Sequence, residues 1–184
     1  MSIKLYTDGA CRGNPGPGGA GAVINRIGKK KKYLYYYVGD NTTNNVAEYT
    51  AVVLALEYLV REGIKEEDRI VLYTDSNLIV QQMSGKWQVK NEKLKPLYKE
   101  AMKYLLELGV SWSIKWVKGH SGDEDNEKAD YLANLAIDSN KSDKPDKSDK
   151  PDKSDKSDKS DKSDKPDKPD KSDKSDKPDK SNKK

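Results

Sequence analysis

Two stretches, Ile3-Lys4-Leu5-Tyr6-Thr7-Asp8 and Ile70-Val71-Leu72-Tyr73-Thr74-Asp75, decide how this chain folds. Each reads as a buried strand with a carboxylate at its carboxyl end, followed at once by a small or polar residue. Side chains alternate along a strand, so Asp8 shares a face with Tyr6 and Asp75 with Tyr73. If the two strands lie parallel and adjacent, both carboxylates emerge at one sheet edge and on one face. Like charges held that close repel and raise a pKa unless a cation sits between them. The pair therefore predicts a metal site or an acid–base site.

Outward from the first strand, residues 9–19 read as a glycine-rich loop. Residues 20–27 and 32–39 read as strands joined by a turn at 28–31, which makes an antiparallel meander. From Val46 the period becomes helical, through Tyr49, Val53, Leu56 and Val60, with Asn44 or Asn45 as start signal and Gly63 as stop. Residues 69–75 form the fourth strand, and Ser76 caps a short helix that Ser84-Gly85 breaks. Leu94, Leu97, Tyr98, Ala101, Leu105 and Leu108 mark a further helix stopped by Gly109. Residues 111–117 give a fifth strand and 123–137 a last helix with Leu132, Ala133 and Ala136 inward. The βββαβααβα order predicts an α/β fold in which a five-stranded mixed sheet is flanked by helices.

Composition changes abruptly near Asn140. From Lys141 to Asp179 the chain repeats Lys-Ser-Asp or Lys-Pro-Asp. A segment with no apolar side chain besides proline cannot offset its ordering entropy, so residues 140–184 are expected to be a disordered tail. Residues 1–139 are expected to form one domain. Of the net charge of +4, the tail's 16 Lys and 13 Asp supply most. The folded part is thus nearly neutral, and a nucleic-acid partner must be held by local patches and metal ions. Cys11 stands alone, so no intramolecular disulfide forms. Without a signal peptide or an apolar run of membrane-spanning length, the expectation is a soluble cytoplasmic monomer with no membrane partner.

Gly16-x-Gly18-x-x-Gly21 matches a dinucleotide-binding fingerprint in form, but that motif needs a helix opening at its end. Here the β-branched Val23-Ile24 follows, and the match is rejected. Asp8-Gly9 also suits a turn, and Asp75 can simply precede a helix cap. Glu48 in Asn45-Val46-Ala47-Glu48 has the shape of a capping box. Asp123, Glu124 and Asp125 are ordinary compensation of a helix dipole. Asp130, two turns into that helix beside Ala129 and Ala133, has no such explanation and needs a partner. His120, the chain's only histidine, lies just ahead of this acid cluster. Convergence of Asp8, Glu48, Asp75 and Asp130 at one sheet edge explains all four together. Hard oxygen donors without supporting Cys or His pairs suit Mg²⁺ or Mn²⁺. Two such ions about 4 Å apart are the clamp used in phosphodiester hydrolysis.

Residues 3–138 closely resemble the type 1 ribonuclease H family. The resemblance is carried by Tyr6-Thr7-Asp8-Gly9-Ala10 with Arg12-Gly13-Asn14-Pro15-Gly16, then by Thr43-Asn44-Asn45-Val46-Ala47-Glu48 and Tyr73-Thr74-Asp75-Ser76. Val117-Lys118-Gly119-His120 through Asn126-Glu127-Lys128-Ala129-Asp130 completes it. It implies the ribonuclease H-like fold and endonucleolytic cleavage of the RNA strand of an RNA–DNA hybrid, leaving 5′-phosphate and 3′-hydroxyl ends. Asp8, Glu48, Asp75 and Asp130 would bind two Mg²⁺ ions, and His120 would transfer a proton or assist product release. Asn14, Asn44 and Asn45 match positions that touch the minor groove, where the RNA 2′-hydroxyl is read. Thr43 and Asn91 match DNA-phosphate contacts, Asn77 a groove-reading amide, and Gly9 belongs to the implied substrate-binding set.

Between Gly85 and Leu94 many members carry a longer insertion with a basic protrusion. This chain holds only Lys86-Trp87-Gln88-Val89-Lys90-Asn91 there, and so resembles compact members, some of which also act on double-stranded RNA. Other functional classes are a non-catalytic hybrid-binding module, which should lack a carboxylate, and a small-ester phosphatase, which would not need the asparagines. Lys29–Lys32 reads as a solvated hairpin tip. The tail, with Asp two residues after most lysines, reads as an inert extension rather than a nucleic-acid tether. Deleting residues 141–184 is accordingly expected to leave hybrid affinity at low salt unchanged in a fluorescence-anisotropy titration.

Overall fold

The computed structural model describes residues 1–142 of the 184-residue chain. The repeat from residue 143 onward, and with it most of the expected tail, lies outside the described residues. The elements are β1 (Ser2–Cys11), β2 (Gly16–Arg26), β3 (Lys32–Thr42), α1 (Asn44–Glu62), β4 (Arg69–Thr74), α2 (Asn77–Met83), α3 (Leu94–Leu108), β5 (Ser111–Trp116) and α4 (Glu124–Ser142). Their order is the expected βββαβααβα. The sheet runs β3-β2-β1-β4-β5, antiparallel among the first three strands and parallel from β1 through β5. Helix α4 continues to Ser142, past the boundary expected at residue 139.

Two layers cover the sheet. On one face Ile3, Leu5, Ala22, Ile24, Ile70 and Leu72 pack beneath Tyr49, Val52, Leu56 and Leu59 of α1, with Ala101 and Leu105 of α3. On the other, Tyr6 and Val23 pack against Ala129 and Leu132 of α4. The alternation read from the sequence accounts for this division, because Leu5 and Tyr6 must face opposite layers. No helix among the described residues is long and apolar enough to cross a membrane.

The glycine-rich stretch is corrected most. Residues 9–19 are not a loop: β1 runs on to Cys11, β2 begins at Gly16, and only the residues between them turn. No helix opens after Gly21, in keeping with the rejected dinucleotide motif. The start of α1 also moves. Its N-cap is Thr43, whose side chain accepts from the Val46 amide, and Asn44 and Asn45 lie inside the helix. The hairpin tip at Lys29–Lys32 is tied down on one side, since Lys31 Nζ meets Asp125 Oδ1 at 2.6 Å. Asn25 donates to the other oxygen of Asp125 at 3.0 Å. Asp125 is therefore a buried anchor between sheet and α4 as well as a dipole partner.

The glycines of this stretch are there because helix backbone lies directly on sheet backbone. A Cβ on Gly9 would stand 2.1 Å from the Glu48 amide nitrogen, and one on Gly21 would stand 2.1 Å from the Ala129 carbonyl oxygen. Main-chain atoms cannot step aside as a side-chain tip can. Gly21→Ala is expected to cost about 1–3 kcal/mol by overpacking. Thermal melts should register this as a loss of roughly 3–10 °C.

Candidate active site

The register of β1 on β4 sets the site. Tyr6 pairs with Tyr73, and their rings stack with centroids 4.7 Å apart and planes 12° apart. The next position on that face is Asp8 on β1 and Asp75 just past the end of β4. The two carboxylates thus share one face and one edge, as the repeated Tyr-Thr-Asp implied. β1 differs from the expectation in continuing beyond Asp8, which pairs with Gly21 of β2.

Glu48 and Asp130 arrive on helices from opposite layers. Glu48 belongs to α1, across the sheet from the Asp8 face, and gains access where β4 has ended. It does not close a capping box on Asn45: its two oxygens accept from Asn44 Nδ2 at 2.7 Å and from Ser76 Oγ at 2.6 Å. Asp130 projects from α4, where Asn134 Nδ2 donates to its Oδ1 at 3.0 Å. Asp8 Oδ1 accepts from the Gly9 amide at 2.7 Å.

The electrostatics show that the four acids belong to one field. Burial, followed by the charges of Asp75, Asp130 and Glu48, pushes Asp8 up to about 8, against the pull of the Gly9 amide. Burial also raises Glu48, opposed by its bond from Ser76, and raises Asp75, with Asp130 adding and His120 subtracting. Among the described residues no ion pair engages any of the four. Nor are three such side chains gathered tightly enough to enclose an ion. The acids form an open cluster with no cationic side chain among them, Asp8, Glu48 and Asp130 each tied to a neutral local donor, and an all-oxygen donor set of that kind fits a hard divalent cation.

The remaining candidates divide. Asn14, at the β1–β2 turn, accepts from the Asn44 amide at 3.4 Å, so the hairpin tip and the start of α1 meet beside Glu48. Thr43 and Asn45 belong to the same helix end. Gly9 lies under Glu48, where its lack of a side chain is a packing requirement. Asn77 opens α2 and accepts from Gln81 at 3.1 Å. Asn91 sits before α3, its Oδ1 accepting from the Lys93 amide at 2.9 Å, a local turn contact rather than a link to the acids. His120 is exposed, in the left-handed region at φ 51°. Sequence reading missed the role of Ser76 as a donor to Glu48, having assigned it only as a helix cap, a role it also fills. It missed altogether Trp116, whose indole N–H donates to the Asp75 carbonyl, and Gly119, which lies against the Asp75 carboxylate.

A family model for RNase H matches residues 1–138. This chain belongs to the ribonuclease H family. The ribonuclease H of Chromobacterium violaceum is 40% identical over 152 residues, covering 74% of this chain and 95% of that protein. RNase H1 from the halophilic archaeon Halobacterium salinarum superposes with a TM-score of 0.66 at 34% identity, covering 76% of this chain and 99% of the other. LC11-RNase H1, solved in complex with an RNA/DNA hybrid, gives 0.66 at 36% identity, covering 75% and 98%. The chain is thus a ribonuclease H-type hydrolase, and cleavage of hybrid RNA is the general activity of its family.

A carboxylate whose folded pKa lies above its unfolded one adds stability that is complete below the unfolded value and is lost as pH rises through the folded one. With divalent ions removed by EDTA, the melting temperature of this ribonuclease H should therefore fall as pH rises from about 4 to about 8. Asp8→Asn removes the largest contributor, and at pH 8 in EDTA it should melt about 3–5 °C above wild type. Scanning calorimetry of both proteins across that range checks the sign.

Proposed function

We propose that this enzyme is an endonuclease that hydrolyses the RNA strand of RNA–DNA hybrids by a two-metal-ion mechanism, leaving 5′-phosphate and 3′-hydroxyl ends. The observation that carries the reading is the convergence on Asp8, a buried carboxylate raised to about 8 with Asp75, Asp130 and Glu48 all contributing. Asp8, Glu48, Asp75 and Asp130 would hold two Mg²⁺ ions, with Mn²⁺ as a substitute. When bound, such a pair supplies an activated water and charge stabilisation for the departing 3′-oxygen.

The chain's own groups do the rest. Burial of Asp8 and Glu48 excludes bulk water and strengthens every charge interaction at the site. His120, exposed and close enough for its charge to act on Asp75, would move a proton or help the product leave. Asn14, Asn44 and Asn45 cluster at the start of α1 and offer amides to the minor groove, where a 2′-hydroxyl marks RNA. Thr43 and the α1 N-terminus favour a phosphate. Asn77 is exposed at the start of α2 for a groove contact, and Asn91 would donate to phosphate through its amide nitrogen. Trp87, 50% exposed, lines a surface cavity of about 570 Å³ together with Lys95 and Lys99. An aromatic face with lysines beside it suits a nucleic-acid strand and supplies grip within the short connection. The hybrid held by LC11-RNase H1 supports this choice of substrate. Double-stranded RNA, which also displays 2′-hydroxyls in an open minor groove, is a second substrate of the same surface.

Asp8→Asn should retain the fold and lose hybrid cleavage by more than about 100-fold, the upper range for removing a mere supporting partner. Labelled hybrid, double-stranded RNA and a generic phosphomonoester, each with Mg²⁺ or with EDTA, form the assay. Wild-type cleavage by the variant would overturn the site assignment. Turnover of the monoester alone would replace the nuclease with a phosphatase.

A further inference from the structure

The strand ladder between β4 and β5 does not stop where β4 does. The Val117 amide donates to the Thr74 carbonyl at 3.0 Å, one step beyond the last paired strand residues. The indole Nε1 of Trp116 then donates to the Asp75 carbonyl at 2.9 Å. Further along the same loop, Gly119 lies against the Asp75 carboxylate itself: a Cβ on Gly119 would stand 2.6 Å from Oδ2. Asp75 is thus gripped at its main chain and walled at its side chain by the segment that follows β5.

The Trp116 ring is 54% exposed, so burial alone does not account for the indole. A bond to the carbonyl of a reactive-site acid does. Groups that hydrogen-bond a ligating residue fix its orientation and tune its affinity for a cation. The Asp75 side chain has only two torsions, so with the main chain held and Gly119 limiting the rotamers open to it, the direction of its carboxylate is set. We propose that Trp116 is a positioning residue: its indole N–H fixes the Asp75 main chain and, with Gly119 as the wall, aims the Asp75 carboxylate at the bound cation. The inference rests on Asp75 being a cation ligand, as proposed above. The competing role for an exposed indole at this edge is to stack on the nucleic acid, and Trp116→Phe separates the two, because it keeps an aromatic face and deletes the donor.

The full chain carrying Trp116→Phe is titrated with Mg²⁺ by calorimetry without substrate, and its kcat and KM are measured on a labelled hybrid. Mg²⁺ affinity is expected to fall about 10-fold, with kcat reduced at low Mg²⁺ and recovered at high Mg²⁺. KM for the hybrid at saturating Mg²⁺ should stay within about twofold. Gly119→Ala, which presses on Oδ2 directly, should weaken Mg²⁺ binding in the same way. Unchanged Mg²⁺ affinity in Trp116→Phe overturns the proposal, and so does a raised KM in Trp116→Ala that Trp116→Phe restores. Asp75→Asn in the same titration distinguishes the two layers of argument. If it binds Mg²⁺ and cleaves like wild type, the assignment of Asp75 fails. If it loses both while Trp116→Phe keeps both, only the positioning role fails.

Discussion

Helix backbone resting directly on sheet backbone is the contact on which this site depends. Gly9 and Gly21 flank Asp8, one beside it along β1 and the other across from it on β2. The first admits α1 to one face of the sheet and the second admits α4 to the other. Side chains between a helix and a sheet hold their backbones apart, too far for a short carboxylate to reach across. Bare backbone removes that spacing, and Glu48 and Asp130 come within the electrostatic reach of Asp8 as a result. A side chain at either glycine would separate layers and acids together.

Bringing acids together in this way has an energetic cost that the protein meets locally. Asp8, Glu48 and Asp75 are each raised chiefly by burial, with their neighbours' charge adding to it. The Gly9 amide, Ser76, Asn44 and Asn134 return part of the lost hydration as hydrogen bonds. None of these donors carries charge. A lysine or arginine here would satisfy the acids permanently and leave nothing for a cation to gain. Neutral donors hold the carboxylates in place without neutralising them, so a cation still has charge to gain.

Most of the architecture was legible because its signals are periodic. Tyr6-Thr7-Asp8 and Tyr73-Thr74-Asp75 gave strands, faces and register, and the apolar positions of α1 and α3 gave helices. The glycine stretch was misread for a physical reason: strand alternation is a pattern of side chains, and Gly16, Gly18, Gly19 and Gly21 have none to show. β2 is nonetheless a strand there, since its neighbours supply the hydrogen bonds and α4 the cover. Thr43 was passed over as the cap because Asn44 and Asn45 are equally good cap residues by type, and only backbone geometry separates them. The contacts of Trp116 and Gly119 with Asp75 join residues more than forty positions apart, which no local pattern encodes. Asp130 stood out because a carboxylate beside alanines on a helix face lacks a local excuse, and its charge does act on Asp8.

The mixed topology itself explains why the acids gather at this edge. β1 is the strand shared by the antiparallel and parallel parts of the sheet, and it outruns β4: β4 ends at Thr74, while β1 continues, paired only with β2, to Cys11. The shortfall opens a notch on one side of β1, just where Asp8 stands. Through that notch a residue from the far layer can meet residues of the near one, which a continuous sheet would forbid. Glu48 uses it, and Ser76, the first residue to turn away from β4 after Asp75, reaches it there. A longer β4 would pair with β1 past Asp8 and seal the notch, improving the sheet while removing the site. The early end of β4 is therefore what lets acids from both layers gather at this edge, and the segment after β5 that clasps Asp75 continues the ladder past it.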